Sequence, residues 1–580
     1  MAEKTCARIY TECLKEHEVE YIFGIAGGYG DQLLWAEVAN AGIKPILIRD
    51  ERSAVWMAEG YAKTSGKPGI VCLGIQAVPH AINGLPDAYN QQIPVIVMTW
   101  IWDTVTEKEK NESHGRCYFA PDLLKHVTKK FFYFQEPERL PEYINMAFRC
   151  ATTGMPGPVA IMHPDPMYFA KVDVELKQDP TYNRYPATRV GPDPDLVRKG
   201  ANLLINAERP VILSGNYAPW AGDFLCQYDA WDELRELAEL LVAPVASNKG
   251  VLTDSHPLNI GSPGLFSTGP FSRGFIANKM VCEADLVLMV CAKTGVYSTN
   301  YYTIPPKGTR IVQIDFDPEE IGRNYPVELG IVGDPKLTLR ALINVIKENK
   351  KPKRTMKADP RIKEIQNFTQ EWQKKTSPDL NSDEAPIHPA RVMKELNHFI
   401  DKETIIAVGG SHCTVIYGCN YLNTPAPGRQ FLTLLGGYSQ IGTGIPMALG
   451  VKMGAPDKRV ILIDGDGSFN YNVNELETTA RYRIPIVMIV FNNSTLFFDR
   501  TCAWELEADF PEEIFRNNYD FTDINFGKIA EAMGCYGVRV ERPAEIKDAI
   551  KAALESNRPA VIDIRTKVMT KDEVANMYVE

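Results

Sequence analysis

Short apolar runs recur along the chain, each followed by a stretch in which apolar positions return every three or four residues. In the first third the runs cover residues 21–24, 44–48, 69–73, 94–98 and 158–162. They are apolar at successive positions, without polar alternation, and so predict strands buried on both faces. Helical periodicity between them predicts a parallel sheet covered by helices on both sides. A polar stretch, 172–194, has little periodicity and reads as a linker. The alternation restarts with strands at 210–214, 243–246, 286–290 and 310–314 and helices at 195–206 and 228–241. The basic, polar run 347–356 reads as a solvated linker. A third unit follows, with strands at 404–408, 460–463, 486–491 and 560–564. The expected fold class is α/β, in three domains (1–185, 195–350 and 387–580), each a mainly parallel sheet covered by helices. The first and third units share one grammar and read as two versions of one fold.

Composition narrows the classes. The chain has 580 residues, 45% hydrophobic, 23% charged and 10% aromatic. That is ordinary for a soluble globular protein and excludes collagen-like, coiled-coil and disordered chains. A net charge of −10 argues against nucleic acid as a partner, since that needs a basic face. A local nest of amides for a phosphate remains compatible with it. The 12 Cys include no CxxC pair, so a structural zinc site is not expected, and free thiols fit a reducing compartment. No basic-then-apolar leader opens the chain, and no uncharged apolar run approaches roughly 18 residues. A cytoplasmic protein with no membrane partner is the expectation.

The most informative stretch is VILIDGDGSFNYNVNELETTARYRIPIVMIVFNN, residues 460–493. An apolar strand runs into Gly465-Asp466-Gly467-Ser468, a helix follows at 474–483, and a second apolar strand ends in Asn492-Asn493. This puts Asp466 and the Asn pair side by side at the carboxyl ends of neighbouring strands, where open α/β sheets bind ligands. The two glycines permit close backbone approach, and the following helix offers amides to an anion. Asp466, an Asn oxygen and a nearby carbonyl are hard ligands suited to Mg²⁺, with phosphate oxygens completing the shell.

GDGS…NN resembles the diphosphate–metal motif of thiamine diphosphate (ThDP) enzymes, and the three-part layout resembles the acetolactate synthase/2-oxoacid decarboxylase group. The resemblance spans nearly the whole chain. It implies a pyrimidine-binding domain, a middle domain and a diphosphate-binding domain, with Asp466, Asn493 and the Thr495 carbonyl on Mg²⁺. IRDERSAVWMAEGYAKTSGK, residues 48–67, resembles the family segment with an essential glutamate, which falls on Glu51. Read alone, Asp50-Glu51 is an ordinary helix start. In the family a protonated carboxyl there faces N1′ of the cofactor's pyrimidine, and an apolar pocket raises its pKa. LTLLGGYSQIGTGIPMALG, residues 432–450, resembles the glycine-rich segment in which Ile441 wedges the cofactor into a bent shape and the Ser439 carbonyl accepts its amino hydrogen. Ser411 and His412 fall in the family's diphosphate-binding turn.

The resemblance implies an enzyme that makes, breaks or exchanges a C–C bond next to a carbonyl on a small-molecule substrate. It also implies a homodimer or homotetramer with each cofactor between subunits. Some relatives hold FAD or ADP in the middle domain. Here the usual Arg after 286–290 is missing, with Lys293 nearby, so FAD or ADP stays open and an empty middle domain is the simpler expectation.

The usual pyruvate-handling set is not intact. Ile75-Gln76-Ala77 replaces a Gly-Pro-Gly loop, and His80 stands where Asn is usual. The pocket is expected to be aromatic and weakly polar: Tyr29, Gln76, His80, Phe119, Phe497, Phe498 and Asp499. Gln76, His80 and Asp499 are the expected catalytic groups beside Glu51. Trp100 and Trp102 read as core packing before pocket wall. The alternatives are a 2-hydroxyacyl-CoA lyase or oxalyl-CoA decarboxylase type, and a non-catalytic ThDP-fold protein. The last is expected to lose Glu51, Asp466 or Asn493, and all three are present.

Overall fold

The computed structural model describes residues 3–101, 119–176, 180–216, 229–247, 251–349, 354–411, 413–426, 428, 431–433, 440–502 and 510–578. Three parallel six-stranded sheets organise them, each flanked by helices. The first holds β1 (Tyr21–Ile25), β2 (Lys44–Leu47), β3 (Gly69–Leu73), β4 (Val95–Ile101), β5 (Lys130–Tyr133) and β6 (Val159–Pro164), in the order β2-β1-β3-β4-β6-β5. The second holds β7 (Pro210–Asn216), β8 (Val245–Ser247), β9 (Asn259–Gly261), β10 (Leu286–Lys293), β11 (Arg310–Asp315) and β12 (Leu329–Val332), in the order β9-β8-β7-β10-β11-β12. The third holds β13 (Thr404–Val408), β14 (Phe431–Thr433), β15 (Arg459–Gly465), β16 (Ile486–Asn492), β17 (Tyr536–Val540) and β18 (Ala560–Arg565), in the order β14-β13-β15-β16-β18-β17.

Counted from its own first strand, the third sheet repeats the order of the first. The middle sheet has the 3-2-1-4-5-6 order of doubly wound dinucleotide folds. The inner strands β3, β4, β13 and β16 are buried at every position, as their unbroken apolar runs require.

The first and third domains share one apolar core, which runs from Ile9 and Val97 through Met57 to Met447 and Leu462. At its centre the helix Glu51–Ser65 crosses the helix Gly444–Gly454 with backbone against backbone. A Cβ added at Gly60 would lie 2.1 Å from the Met447 carbonyl oxygen, and one at Gly450 would lie 2.0 Å from that of Met57. The Thr64 hydroxyl donates across the crossing to the Val451 carbonyl at 3.2 Å. The middle domain carries its own cores.

Two stretches that read as linkers contain residues that pack against the domains. Within 172–194, Lys171–Val172 pairs antiparallel with Lys4–Thr5, and buried Tyr185 donates its hydroxyl to the Ala62 carbonyl at 2.9 Å. A single buried aromatic leaves no periodicity to read. Within 347–356, the helix Pro335–Glu348 takes the first residues. The Arg354 guanidinium then donates to the carbonyls of Ala207 (2.6 Å) and Leu241 (3.0 Å), at the C-terminal ends of the helices Pro194–Asn206 and Trp231–Leu241. A cation there complements both helix ends.

The crossing makes a stability prediction. Gly450→Ala forces the helices apart and is expected to cost about 1–3 kcal/mol. Gly191→Ala, whose Cβ meets nothing within 4 Å, is expected to stay within about 0.5 kcal/mol. Denaturant unfolding of the two variants checks the contrast.

Candidate active site

Turns at the carboxyl ends of β13, β15 and β16 converge on a cavity of about 330 Å³. Gly410 and Ser411 enter from the first turn, Gly465–Ser468 from the second, and Asn493 and Thr495 from the third. The glycines are required by contact. A Cβ at Gly465 would lie 2.5 Å from that of Ser411, and one at Gly467 would lie 3.1 Å from Leu496. Ser468 Oγ accepts the Gly442 amide at 2.9 Å, which ties the segment carrying Ile441 to the same motif, and Ile441 also lines the cavity. Asp466 opens a helix of six residues, Asp466–Tyr471, that the sequence pattern did not announce, and the helix read at 474–483 follows it as Glu475–Arg481.

Asp466 is buried, and its Oδ2 accepts the Ser494 amide at 2.6 Å. Burial pushes its carboxyl up to about 7, against the pull of the Gly467 and Ser494 amides. Asn493 Oδ1 accepts the Thr495 amide at 3.2 Å. Behind them Asp464 is fully buried, and its Oδ1 accepts the Gly465 amide at 2.9 Å. Burial drives its carboxyl far above the usual carboxylate range. A carboxylate, an amide oxygen and a main-chain carbonyl on one wall fit a hard divalent cation, and the glycine cradle beside them fits a diphosphate.

The rest of the lining is mostly apolar: Phe266 and Tyr297 from the middle domain, then Val415, Ile416, Leu496, Phe497 and Phe498. Asp499 stands at its edge. Among the described lining residues there is no Lys, Arg or His.

Glu51, Gln76 and His80 do not line this cavity. Glu51 opens its helix behind the cap Asp50, both of whose oxygens engage the Arg52 guanidinium. His80 Nδ1 lies 3.1 Å from Glu51 Oε2, and both His80 and Gln76 are exposed. Donor atoms of Asp50, Glu51 and His80 lie within 4.8 Å of one another, so a cation could also be shared there. The Glu475 carboxylate of the third domain accepts the amides of Arg49 and Asp50.

Models of thiamine pyrophosphate enzyme domains match all three parts of the chain. The N-terminal TPP-binding domain matches residues 4–117, the central domain 197–342 and the C-terminal TPP-binding domain 410–564. The chain is 31% identical to a probable acetolactate synthase large subunit of Methanococcus aeolicus and 32% to that of Methanocaldococcus jannaschii. Each match covers 96% of this chain and 91% of the relative. It is also 27% identical to a putative thiamine pyrophosphate-containing protein of Bacillus subtilis, over 97% of this chain and 92% of that one. The chain belongs to the thiamine diphosphate enzyme family. It is a ThDP- and Mg²⁺-dependent enzyme of the acetolactate synthase/2-oxoacid decarboxylase superfamily, acting on the C–C bond next to a carbonyl of a small substrate. The CoA-dependent and non-catalytic alternatives are not favoured by these relationships.

The remaining expectations fall in several places. Ser411, Ile441, Phe497, Phe498 and Asp499 share the ThDP-enzyme cavity with the motif residues. His412, Ser439, Trp102 and the Tyr29 side chain lie outside the described residues. Phe119 is exposed and, like Gln76 and His80, does not line the cavity of its own chain. Trp100 is core, packed beneath Gly28, with its indole N–H donated to buried Asp31 at 2.5 Å. In the middle domain Lys293 pairs with Glu320 at 2.7 Å. Phe266, Tyr297 and Glu475 were not anticipated. No motif marks the two aromatics, because only domain packing brings them to the cavity. Glu475 sits inside the motif stretch as one more helical Glu.

The raised Asp466 carboxyl sets a pH signature. With a folded value near 7 against 3.8 unfolded, this group makes the cofactor-free fold lose stability as pH rises between those values. A bound cation removes the penalty but must first displace the proton. ThDP with Mg²⁺ is therefore expected to raise Tm more at pH 8 than at pH 6. Thermal melts of wild type and Asp466→Asn check this, since the variant should lose the difference.

Proposed function

We propose that this ThDP enzyme is a 2-oxoacid decarboxylase or carboligase of acetolactate synthase type, with its working parts in three groups. Asp466, Asn493 and the Thr495 carbonyl hold Mg²⁺. Ser411, His412, Gly465, Gly467 and Ser468 cradle the diphosphate, Ile441 holds the cofactor bent, and the Ser439 carbonyl accepts its amino hydrogen. Glu51, with Gln76, His80 and Asp499, handles protons. The functional units are taken as 1–185, 195–350 and 387–580. The observation that carries the reading is the cavity itself, which gathers the described metal and diphosphate groups with a set of apolar side chains in one lining.

Bound ThDP supplies the carbon nucleophile and electron sink for the C–C bond. Glu51, whose Oε2 lies 3.1 Å from His80 Nδ1, would face the cofactor's ring nitrogen. Phe497, Phe498 and Tyr297 exclude water, which strengthens each charge interaction inside. Asp499, at the rim, delivers or removes the proton at the reacting carbonyl. Glu51, Gln76 and His80 lie off the cavity of their own chain, which supports a homodimer, or a tetramer of two such dimers, in which each copy completes its partner's site. Among the described residues, eight cysteines are free thiols, in keeping with a cytoplasmic enzyme.

Glu51→Gln keeps size but cannot donate a carboxyl proton. It is expected to bind ThDP and to slow deuterium exchange at C2 of the cofactor by about 10²–10⁴-fold. Unchanged exchange with cofactor bound removes Glu51 from the reading. Light scattering on active wild type is expected to give a dimer or larger, and full activity in a monomer contradicts the shared site. Product analysis with 2-oxoacids, acyloins and 2-hydroxyacyl-CoAs separates the reaction types.

A further inference from the structure

The turn that presents Glu51 is held from another domain. Glu475 opens the helix Glu475–Arg481 of the third domain and is fully buried. Its Oε1 accepts the amides of Arg49 at 3.0 Å and Asp50 at 3.1 Å, and its Oε2 accepts the Thr478 hydroxyl at 2.7 Å. Those two amides belong to the residues immediately before Glu51. Amides that leave the ladder just past a strand end need other acceptors, and here one side chain serves both, with its second oxygen bonded to the hydroxyl one turn along its own helix. Two further contacts grip the end of β2. The Tyr482 hydroxyl accepts the Leu47 amide at 2.8 Å, and the Arg481 guanidinium donates to the Leu47 carbonyl at 2.9 Å. The Leu47 contacts add to the shared apolar core and the helix crossing that hold the two domains together. Of these cross-domain contacts among the described residues, those of Glu475 go to the amides just before Glu51, whose own carboxyl meets exposed His80.

We propose that Glu475 is a positioning residue for cofactor activation: by fixing the Arg49 and Asp50 amides it aims the Glu51 carboxyl without touching cofactor or substrate. This rests on Glu51 being the activating carboxyl. In the shared-site dimer it has a further meaning. Glu475 follows the Asp466 motif by one short helix, so the segment that binds diphosphate for one site aims the activating carboxyl of the other.

The test uses the full-length enzyme with ThDP and Mg²⁺, and measures ThDP affinity and C2 deuterium exchange at saturation. A misplacement of about 1 Å costs about 10²-fold in rate. Glu475→Ala is therefore expected to slow exchange by that order while leaving ThDP affinity near wild type. Glu475→Gln, which keeps one acceptor oxygen, should restore most of the rate. Thr478→Val removes only the hydroxyl that orients Oε2 and should slow exchange several-fold, which keeps the inference testable where Glu475→Ala does not fold. Wild-type exchange in Thr478→Val and in whichever Glu475 variants fold overturns it, as does a loss that follows ThDP affinity. Glu51→Gln is the control. If it slows exchange and the Glu475 and Thr478 variants do not, only the positioning role falls. If it exchanges like wild type, the activating role of Glu51 falls and this inference falls with it.

Discussion

The Asp464 carboxyl occupies a point where three loops meet with no room for another side chain. A Cβ at Gly409 would lie 2.4 Å from its Cγ, one at Gly444 would lie 2.2 Å from its Oδ2, and its Oδ1 already takes the Gly465 amide. One loop ends β13, one ends β15, and one starts the helix Gly444–Gly454. The diphosphate turn, the metal motif and the segment bearing Ile441 are thereby fixed relative to one another before any ligand arrives. That is the condition for orienting a flexible cofactor at little entropic cost. Glycine is what makes the meeting possible, and a buried carboxyl is what the backbones close around.

Electrostatics at the cavity follow from the same closeness. Its described carboxyl groups are Asp466 and Asp499, and burial among largely apolar neighbours raises the Asp466 carboxyl to about 7, so that a cation must compete with its proton. The middle domain settles a comparable problem internally. Burial raises Asp315 to about 7, Lys293 opposes that, and the Lys293 ammonium also meets Glu320. The first needs an external cation, and the second has one built into its sheet.

What could be read in advance divides along burial. Every inner strand of the three sheets was marked by a mainly apolar run. The strands that left no mark are β5, β9, β12, β14 and β17, and each lies at a sheet edge. Edge strands face solvent on one side, as the mixed burial of β5, β9, β12 and β17 records, so their sequences carry fewer apolar positions. The chemistry divides likewise. Asp466 and the Asn pair were legible because strand–turn–helix–strand connectivity alone brings them together. Phe266 and Tyr297 were not, because their placement depends on the C-terminal segment. Met577 accepts the Gly269 amide through its carbonyl at 3.1 Å, and the Tyr578 ring lies 4.9 Å from that of Phe266. Tyr185 and Arg354 turned apparent linkers into packed chain by single contacts, which no periodicity can announce.

The glycine crossing between the first and third domains bears on how the chain is made. The helix that ends at Ser65 leaves the ribosome 379 residues (444 − 65) before the helix that covers it begins. At about 5–20 residues per second that interval is roughly 20–80 s. Throughout it the face around Gly60 has no partner from its own chain, and the middle domain is completed first. Newly made copies therefore expose a flat, backbone-rich helical surface for most of synthesis, and shielding that surface falls to chaperones or to the ribosome itself.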